Sequence, residues 1–130
     1  MVNGFAGVGK AAGFASPAQG YEDTNIDLNA LLVKRPAATF FFRLDNDDMG
    51  DLGLHDGALL VVDRSLKPAP HDFVLIVHEG RFMCRLMIRQ NGVRVFTDGK
   101  SNIVPTADTM IIGVVTAAVQ CFKRVSKPEV

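Results

Sequence analysis

Residues 72–97 read DFVLIVHEGRFMCRLMIRQNGVRVFT, and this stretch indicates the fold. It holds three short apolar segments with the β-branched and aromatic side chains typical of buried strands. These segments are Asp72–His78, Phe82–Arg89 and Val93–Thr97. A turn at His78–Arg81 separates the first two, and Asn91-Gly92 separates the second two. Asn-Gly is a strong hairpin signal because both residues tolerate positive φ. The stretch therefore predicts three consecutive antiparallel strands.

Similar signals continue on both sides of this stretch. Thr39–Leu44 and Ala58–Asp63 precede it, and a long final strand is predicted over Met110–Phe122, interrupted by Gly113. One short helix is expected where Asp27 can cap a stripe formed by Leu28, Leu31 and Leu32. Six or seven strands with one short helix predict a mainly β domain, built as a highly bent, mostly antiparallel sheet.

The two ends of the chain differ from this β region. Residues 1–25 contain five glycines among small side chains, which predicts a flexible N-terminal arm because glycine raises the entropy cost of ordering. Residues 26–122 form the predicted β domain. Residues 123–130 form a polar tail that we expect to be frayed.

Composition restricts the possible functions. The 130 residues suit one globular domain. Fourteen basic and 14 acidic residues balance, which argues against strong direct nucleic-acid binding. No apolar run is long enough for a membrane span, and no signal peptide precedes the domain, so we expect a cytoplasmic protein. Cys84 and Cys121 lie in strand-like runs and are predicted to be buried, reduced thiols. Neither metal-binding spacing nor a cofactor motif occurs, so no metal and no cofactor is expected.

One loop is unusually acidic. Residues 45–51 read DNDDMGD. Three interpretations are open: a solvated acidic turn, a calcium loop, or a helix N-terminus with acidic caps. The EF-hand spacing is not met, because Gly50 is misplaced and no Glu follows at the required distance.

Several segments together resemble the LexA/UmuD family of self-cleaving serine peptidase domains. The resemblance runs from residue 12 to about residue 120 in the family's order, which makes it far more specific than any single motif. Its segments are AGFASPA at 12–18, IDLN at 26–29, RPAATF at 35–40, DDM at 47–49, HDGALLVVD at 55–63 and GRFMCRL at 80–86. The resemblance implies the bent sheet, or pseudo-barrel, of the LexA C-terminal domain.

The family's chemistry is a Ser–Lys dyad that cuts a bond between a small residue and Gly in the arm. Here the corresponding bond is Ala12–Gly13. Gly13 precedes Asp48 by 35 residues, and Asp48 precedes Arg85 by 37. Both intervals match the family's spacing from cleavage site to Ser and from Ser to Lys. The resemblance therefore puts Asp48 at the Ser position and Arg85 at the Lys position.

Neither replacement can perform the dyad's role. A carboxylate is a poor nucleophile toward an amide, and a guanidinium stays protonated and cannot act as a general base. We therefore expect no self-cleavage, and we expect Asp48 and Arg85 to form a partly buried ion pair instead. Cys84 is a weak candidate for a substitute nucleophile because strand alternation points it away from the Arg85 side.

The resemblance also implies a role without catalysis. Proteins of this kind form homodimers and serve as accessory subunits of a Y-family translesion DNA polymerase in the SOS response, with the RecA filament. The final strand is the dimer element that the resemblance suggests. The arm is too short for a helix-turn-helix, so we expect no LexA-type repressor. Two alternatives stay open: an active self-processing peptidase, and a dominant-negative regulator that pairs with an active UmuD homologue and offers Ala12–Gly13 for cleavage in trans.

Overall fold

The computed structural model describes residues 25–123. Seven strands form one antiparallel sheet in the order β1-β2-β7-β3-β4-β5-β6. The strands are β1 Thr39–Arg43, β2 Leu59–Asp63, β3 Phe73–His78, β4 Arg81–Gln90, β5 Val93–Thr97, β6 Asn102–Ile103 and β7 Met110–Val119. The predicted mainly β, antiparallel fold is confirmed. The arm segment with Ala12 and Gly13, and the tail from residue 124, lie outside the described residues.

The predicted short helix, α1, spans Leu28–Leu32. Its first turn is capped by Asp27, whose Oδ1 accepts hydrogen bonds from Asn29 N–H at 3.1 Å and Ala30 N–H at 3.3 Å. Such a cap satisfies amides that have no partner within the helix. Pro36 begins a 3-10 turn, Pro36–Ala38, that leads into β1.

Strands β3, β4 and β5 form an antiparallel meander, as the sequence of residues 72–97 predicts. Phe73 pairs with Leu86 and His78 with Arg81, while Leu86 pairs with Thr97 and Gln90 with Val93. Both tight turns adopt positive φ at their two central residues, which are Glu79 (53°) and Gly80 (77°), and Asn91 (54°) and Gly92 (78°). Positive φ at both positions matches the right-handed twist of the flanking strands.

Two irregularities bend the sheet around its central strand. The β2–β7 register shifts between Val61 and Val62, and the β3–β7 register shifts between Leu75 and Ile76. Such bulges increase local twist and curvature. Gly113 lies at this bend, and a Cβ added there would meet Val62 Cγ1 at 2.8 Å. The glycine that interrupts the final strand is therefore required by a close approach of β2.

The bent sheet has an apolar cluster on each face. The first cluster packs beneath the acidic loop, and its buried members are Leu44, Met49, Ala58, Leu60, Val62, Leu75 and Cys84. The second cluster consists of Val74, Ile76, Met87 and Phe96. Successive residues of β3 alternate between the two clusters, as expected for strand side chains.

The predicted end of the final strand is wrong. β7 stops at Val119 and does not reach Phe122. Gln120 leaves the sheet to bond the loop after the acidic segment, with its Nε2 donating to Gly53 O and its Oε1 accepting from His55 N–H, both at 2.9 Å. Cys121 follows this departure and is exposed, in contrast to the predicted buried thiol, whereas Cys84 is buried as expected.

No helix among residues 25–123 has the length and apolar character needed to cross a bilayer.

Candidate active-site cleft

A shallow cleft lies between the acidic loop and the first half of β4. Its cavity volume is about 20 Å³, room for roughly one water molecule. Apolar side chains from β1 and β4 form its walls, and polar side chains come from the loop and from Arg81 and Arg85 of β4. The lining residues are Phe42, Leu44, Asp45, Asn46, Asp48, Met49, Arg81, Phe82, Met83, Cys84 and Arg85.

The cleft lies along the first half of β4, where this strand has a partner strand on one side only. β3 pairs with Arg81–Leu86, whereas β5 pairs with β4 only from Leu86 to Gln90. His71 N–H donates to Met87 O, so odd-numbered β4 residues bond toward β3. Backbone bonding alternates along an antiparallel strand, so the peptide groups of Phe82 and Cys84 face the other side, which β5 does not cover.

Asp48 and Arg85 meet in this cleft, as the sequence predicts. Arg85 Nη2 lies 3.8 Å from Asp48 Oδ2. Arg85 also donates from Nη1 to the Cys84 carbonyl at 2.7 Å. The Asp48 backbone N–H donates to Asn46 Oδ1 at 2.9 Å, which fixes the turn that presents the carboxylate. Arg85 therefore contacts both the Asp48 carboxylate and a backbone carbonyl on the uncovered edge of its own strand.

The pair is partly buried, and its two members differ in exposure. The Arg85 side chain is 12% exposed, but the Asp48 side chain is 49% exposed. An ion pair with one half-exposed partner contributes roughly 0–1 kcal/mol to stability. Breaking a fully buried ion pair costs several kcal/mol, but Asp48 is too exposed for that cost to apply to it. Arg85 is the member whose surroundings demand a partner.

The acidic loop is held by contacts outside the dyad positions. Asp47 Oδ1 accepts from the Asp56 N–H at 2.8 Å, and Asp51 Oδ2 lies 3.7 Å from Lys100 Nζ. A 3-10 turn, Gly50–Leu52, follows the loop, and buried Met49 anchors it from below. The loop is thus a turn with a 3-10 continuation, not the start of an α-helix. Within residues 25–123, no three His, Cys, Asp or Glu side chains come together to hold a metal ion.

Cys84 is not placed to act as a nucleophile. Its side chain is 1% exposed within the first apolar cluster, while Arg85 follows it on the strand with the opposite orientation. Burial raises the pKa of the Cys84 thiol to about 12, despite the opposing effect of the Arg85 charge. A thiol in this state is almost entirely protonated near neutral pH, and the thiolate is the reactive form.

Two parts of the site were not foreseen from the sequence. The Asp98–Ser101 turn packs against the loop, since a Cβ added at Gly99 would lie 3.3 Å from both Asp51 Cβ and Leu52 Cγ. Hydrogen bonding from the Ser101 amide, chiefly, lowers the pKa of Asp98, and the Arg85 charge contributes to the same shift. The Asp-Gly-Lys-Ser segment is a recognisable turn signal, whereas nothing in the sequence marks Gln120 as a loop anchor.

Comparison with known proteins shows the family of this chain. The profile of the Peptidase S24-like family matches residues 7–116. The chain belongs to this family. It is 40% identical to Protein SamA of Salmonella typhimurium over 107 residues, which are 82% of this chain and 76% of SamA. The resemblance described from the sequence is thereby confirmed.

Two further relatives match a shorter stretch. Protein ImpA of Escherichia coli is 46% identical over 79 residues, or 60% of this chain and 54% of ImpA. Protein MucA of Escherichia coli is 43% identical over 81 residues, or 61% of this chain and 55% of MucA. The chain therefore spans about half the length of these two relatives. With SamA, they identify it as a UmuD-like member of the family.

Proposed function

We propose that this chain is a catalytically inactive UmuD-like protein that acts in SOS mutagenesis as an accessory subunit of a Y-family translesion polymerase. The observation that carries the proposal is the contact between Asp48 and Arg85, 3.8 Å apart in the family's candidate cleft. The contact supports the assignment of these residues to the two dyad positions, which must be neighbours for proton transfer.

The chemistry of the cleft supports inactivity. Asp48 supplies only carboxylate oxygens, and a guanidinium such as that of Arg85 cannot act as a general base. Cys84, the other potential nucleophile beside Arg85, is buried and protonated. Among the described residues that line the cleft, no nucleophilic side chain lies beside a base that could activate it.

A self-processing assay tests this proposal. The full chain is incubated with activated RecA filament, or alone at alkaline pH, beside an active family member. We expect the active member to be cut and this chain to stay intact. A fragment beginning at Gly13 would show an active peptidase and would overturn the proposed inactivity.

The accessory role requires a dimer and a polymerase partner. Exposed apolar side chains along β7 support a dimer through this strand, notably Met110 at 60% and Val119 at 43% exposure. Size-exclusion chromatography with light scattering should give twice the chain mass. Val119→Glu should shift the equilibrium toward monomer, while Val104→Glu, at a site 61% exposed after β6, should not.

A pull-down separates the accessory role from mere dimerisation. A tagged Y-family polymerase subunit should retain the wild-type chain through washing at moderate salt. An unrelated tagged DNA-binding protein serves as the control bait. If the polymerase retains no more chain than the control bait does, the accessory role is wrong even if the cleft is inactive.

A second function is supported by the cleavage-like segment that the chain keeps. Ala12–Gly13 lies within AGFASPA, although the chain's own cleft lacks a usable dyad. The chain can then act as a regulator that pairs with an active UmuD homologue and is cut in trans. Mixing the two proteins and finding cleavage before Gly13 only in the mixture would support this role, and an uncut chain in a stable heterodimer would exclude cleavage in trans.

A further inference from the structure

The end of the β4–β5 hairpin extends beyond its neighbouring strands. β3 pairs with β4 only as far as Leu86, apart from backbone bonds to Met87, and β6 pairs with β5 only at Phe96 and Thr97. Residues 89–94, which are all exposed, therefore form a two-stranded projection with Asn91-Gly92 at its tip. We call this projection the β4–β5 ribbon.

Two arginines face each other across this ribbon. Arg89 and Arg94 are direct register partners, and both are exposed. Like charges directly opposite on one face of a sheet destabilise it. Within residues 25–123, neither guanidinium lies within ion-pair distance of a carboxylate. Arg89 uses one N–H on Gly92 O at 3.1 Å, and its other donors are left for a partner.

The surroundings of the pair are basic and polar. Residues 80–97 contain four arginines and neither Asp nor Glu, although the whole chain is neutral. Charge is thus separated along the chain, since residues 45–56 contain five Asp and neither Lys nor Arg. A local positive field can act on an anion without any excess in net charge.

The arginine face of the ribbon lacks an apolar anchor. The next residues on this face, Met87 and Phe96, are a register pair and are buried at 2% and 1% exposure. Val93, 50% exposed, lies opposite Gln90 and hence on the other face. Protein interfaces usually rely on buried apolar or aromatic anchors. An anion held by charge and hydrogen bonds therefore fits this face better than a protein segment.

We propose that the β4–β5 ribbon binds the phosphodiester backbone of DNA through Arg89 and Arg94. Guanidinium groups donate paired hydrogen bonds to phosphate, and two-stranded antiparallel ribbons fit the DNA major groove. Binding is local and modest, which agrees with a neutral chain that is not built for strong nucleic-acid binding. The proposal does not depend on the state of the cleft or on a polymerase partner.

Fluorescence anisotropy with a short labelled duplex, and with its single strand, tests the proposal. If each arginine neutralises one phosphate, wild-type affinity for duplex falls roughly tenfold between about 50 and 200 mM salt. Arg89→Gln/Arg94→Gln should weaken binding at least about tenfold at the lower salt and remove most of this salt dependence. Weaker binding of this variant to the duplex or to the single strand supports a contact with the phosphate backbone. Tighter binding of the wild type to duplex than to single strand supports insertion into a groove.

A matched variant controls for the loss of charge. Arg64→Gln/Lys67→Gln also removes two positive charges, but from exposed positions outside the ribbon. This variant should bind DNA nearly as tightly as the wild type does. Equal weakening by both variants, or no weakening by the ribbon variant, overturns the proposal. A ribbon that binds polyglutamate but neither DNA form also overturns it, in favour of an acidic protein partner. Thermal unfolding of the ribbon variant checks that it is folded. Its melting temperature should not fall, since the substitutions relieve a repulsion between like charges.

Discussion

Two arginines on the same strand, four residues apart, have opposite surroundings. Arg85 lies where β4 forms one wall of the cleft, with Asp48 Oδ2 at 3.8 Å and the Cys84 carbonyl at 2.7 Å. Arg89 lies where β4 forms the ribbon, and its register partner is Arg94. Within residues 25–123, the first charge lies beside a carboxylate and the second does not. The charge-paired end of β4 therefore serves the structure, whereas the end with Arg89 is the one that we propose contacts a partner.

The largest expected contrast is between the two thiols, because Cys84 marks the packed end of β4. In the native protein, a thiol reagent should modify exposed Cys121 at least about 100-fold faster than buried Cys84, whose raised pKa also depletes the reactive thiolate. Mass spectrometry of the timed reaction gives both rates. In denaturant the rates should converge. Similar native rates would show that the cleft end of β4 opens readily, and the contrast between the two ends would fail.

The same substitution at Arg85 and at Arg89 should affect stability very differently. Arg85→Met leaves the Cys84 carbonyl without its donor and Asp48 without its cation, so the free energy of unfolding should fall by about 1–3 kcal/mol. Arg89→Met removes one of two facing like charges and should change it by less than about 0.5 kcal/mol. Urea unfolding of both variants gives the values. Equal losses would mean that Arg85 is no more integrated than Arg89.

The pKa of Asp98 depends on Arg85 and not on Arg89. Hydrogen bonding from the Ser101 amide is the main cause that lowers it below 3.8, and the Arg85 charge adds to the effect. Because the folded-state pKa is the lower one, the stabilising contribution is complete above the ordinary carboxyl pKa and is lost as pH falls through the folded-state value. Arg85→Met should raise the pKa of Asp98 in an NMR titration, while Arg89→Met should leave it unchanged. An unchanged value in both variants would remove Arg85 from the Asp98 environment.

The smallest effect concerns the ribbon alone. Arg89→Gln/Arg94→Gln relieves a cross-strand repulsion, so the free energy of unfolding should rise by about 0.2–1 kcal/mol. The rise should shrink in high salt, which screens exposed charges. Thermal or urea unfolding at low and high salt measures it. A loss of stability would mean that the two arginines hold the hairpin together, which would contradict their assignment to a partner.

The two ends of β4 also differ in how far the sequence predicts them. A two-residue Asn91-Gly92 turn sets the register of the hairpin, so the opposition of Arg89 and Arg94 follows from local chemistry. The contact between Asp48 and Arg85 joins a loop to a strand 37 residues later, and strand periodicity cannot place it. That pair follows only from the family resemblance and its matching intervals.

The features that the sequence did not predict depend on tertiary contacts. The sequence predicts that β7 reaches Phe122, but Gln120 leaves the strand to bond Gly53 and His55, more than 60 residues away in the chain. Cys121 is exposed for the same reason. The half-exposed state of Asp48 follows from the turn geometry that Asn46 imposes, which composition does not reveal.

The central claim is that an ion pair has replaced a hydrolytic dyad, and restoring the dyad tests it most directly. The wild-type chain and the variant Asp48→Ser/Arg85→Lys are incubated side by side with activated RecA filament and at alkaline pH, and mass spectrometry follows the fragment that begins at Gly13. We predict no such fragment from the wild type and its appearance in the variant, faster than any wild-type background by at least about 100-fold. Equal cleavage of the wild-type chain would contradict the account.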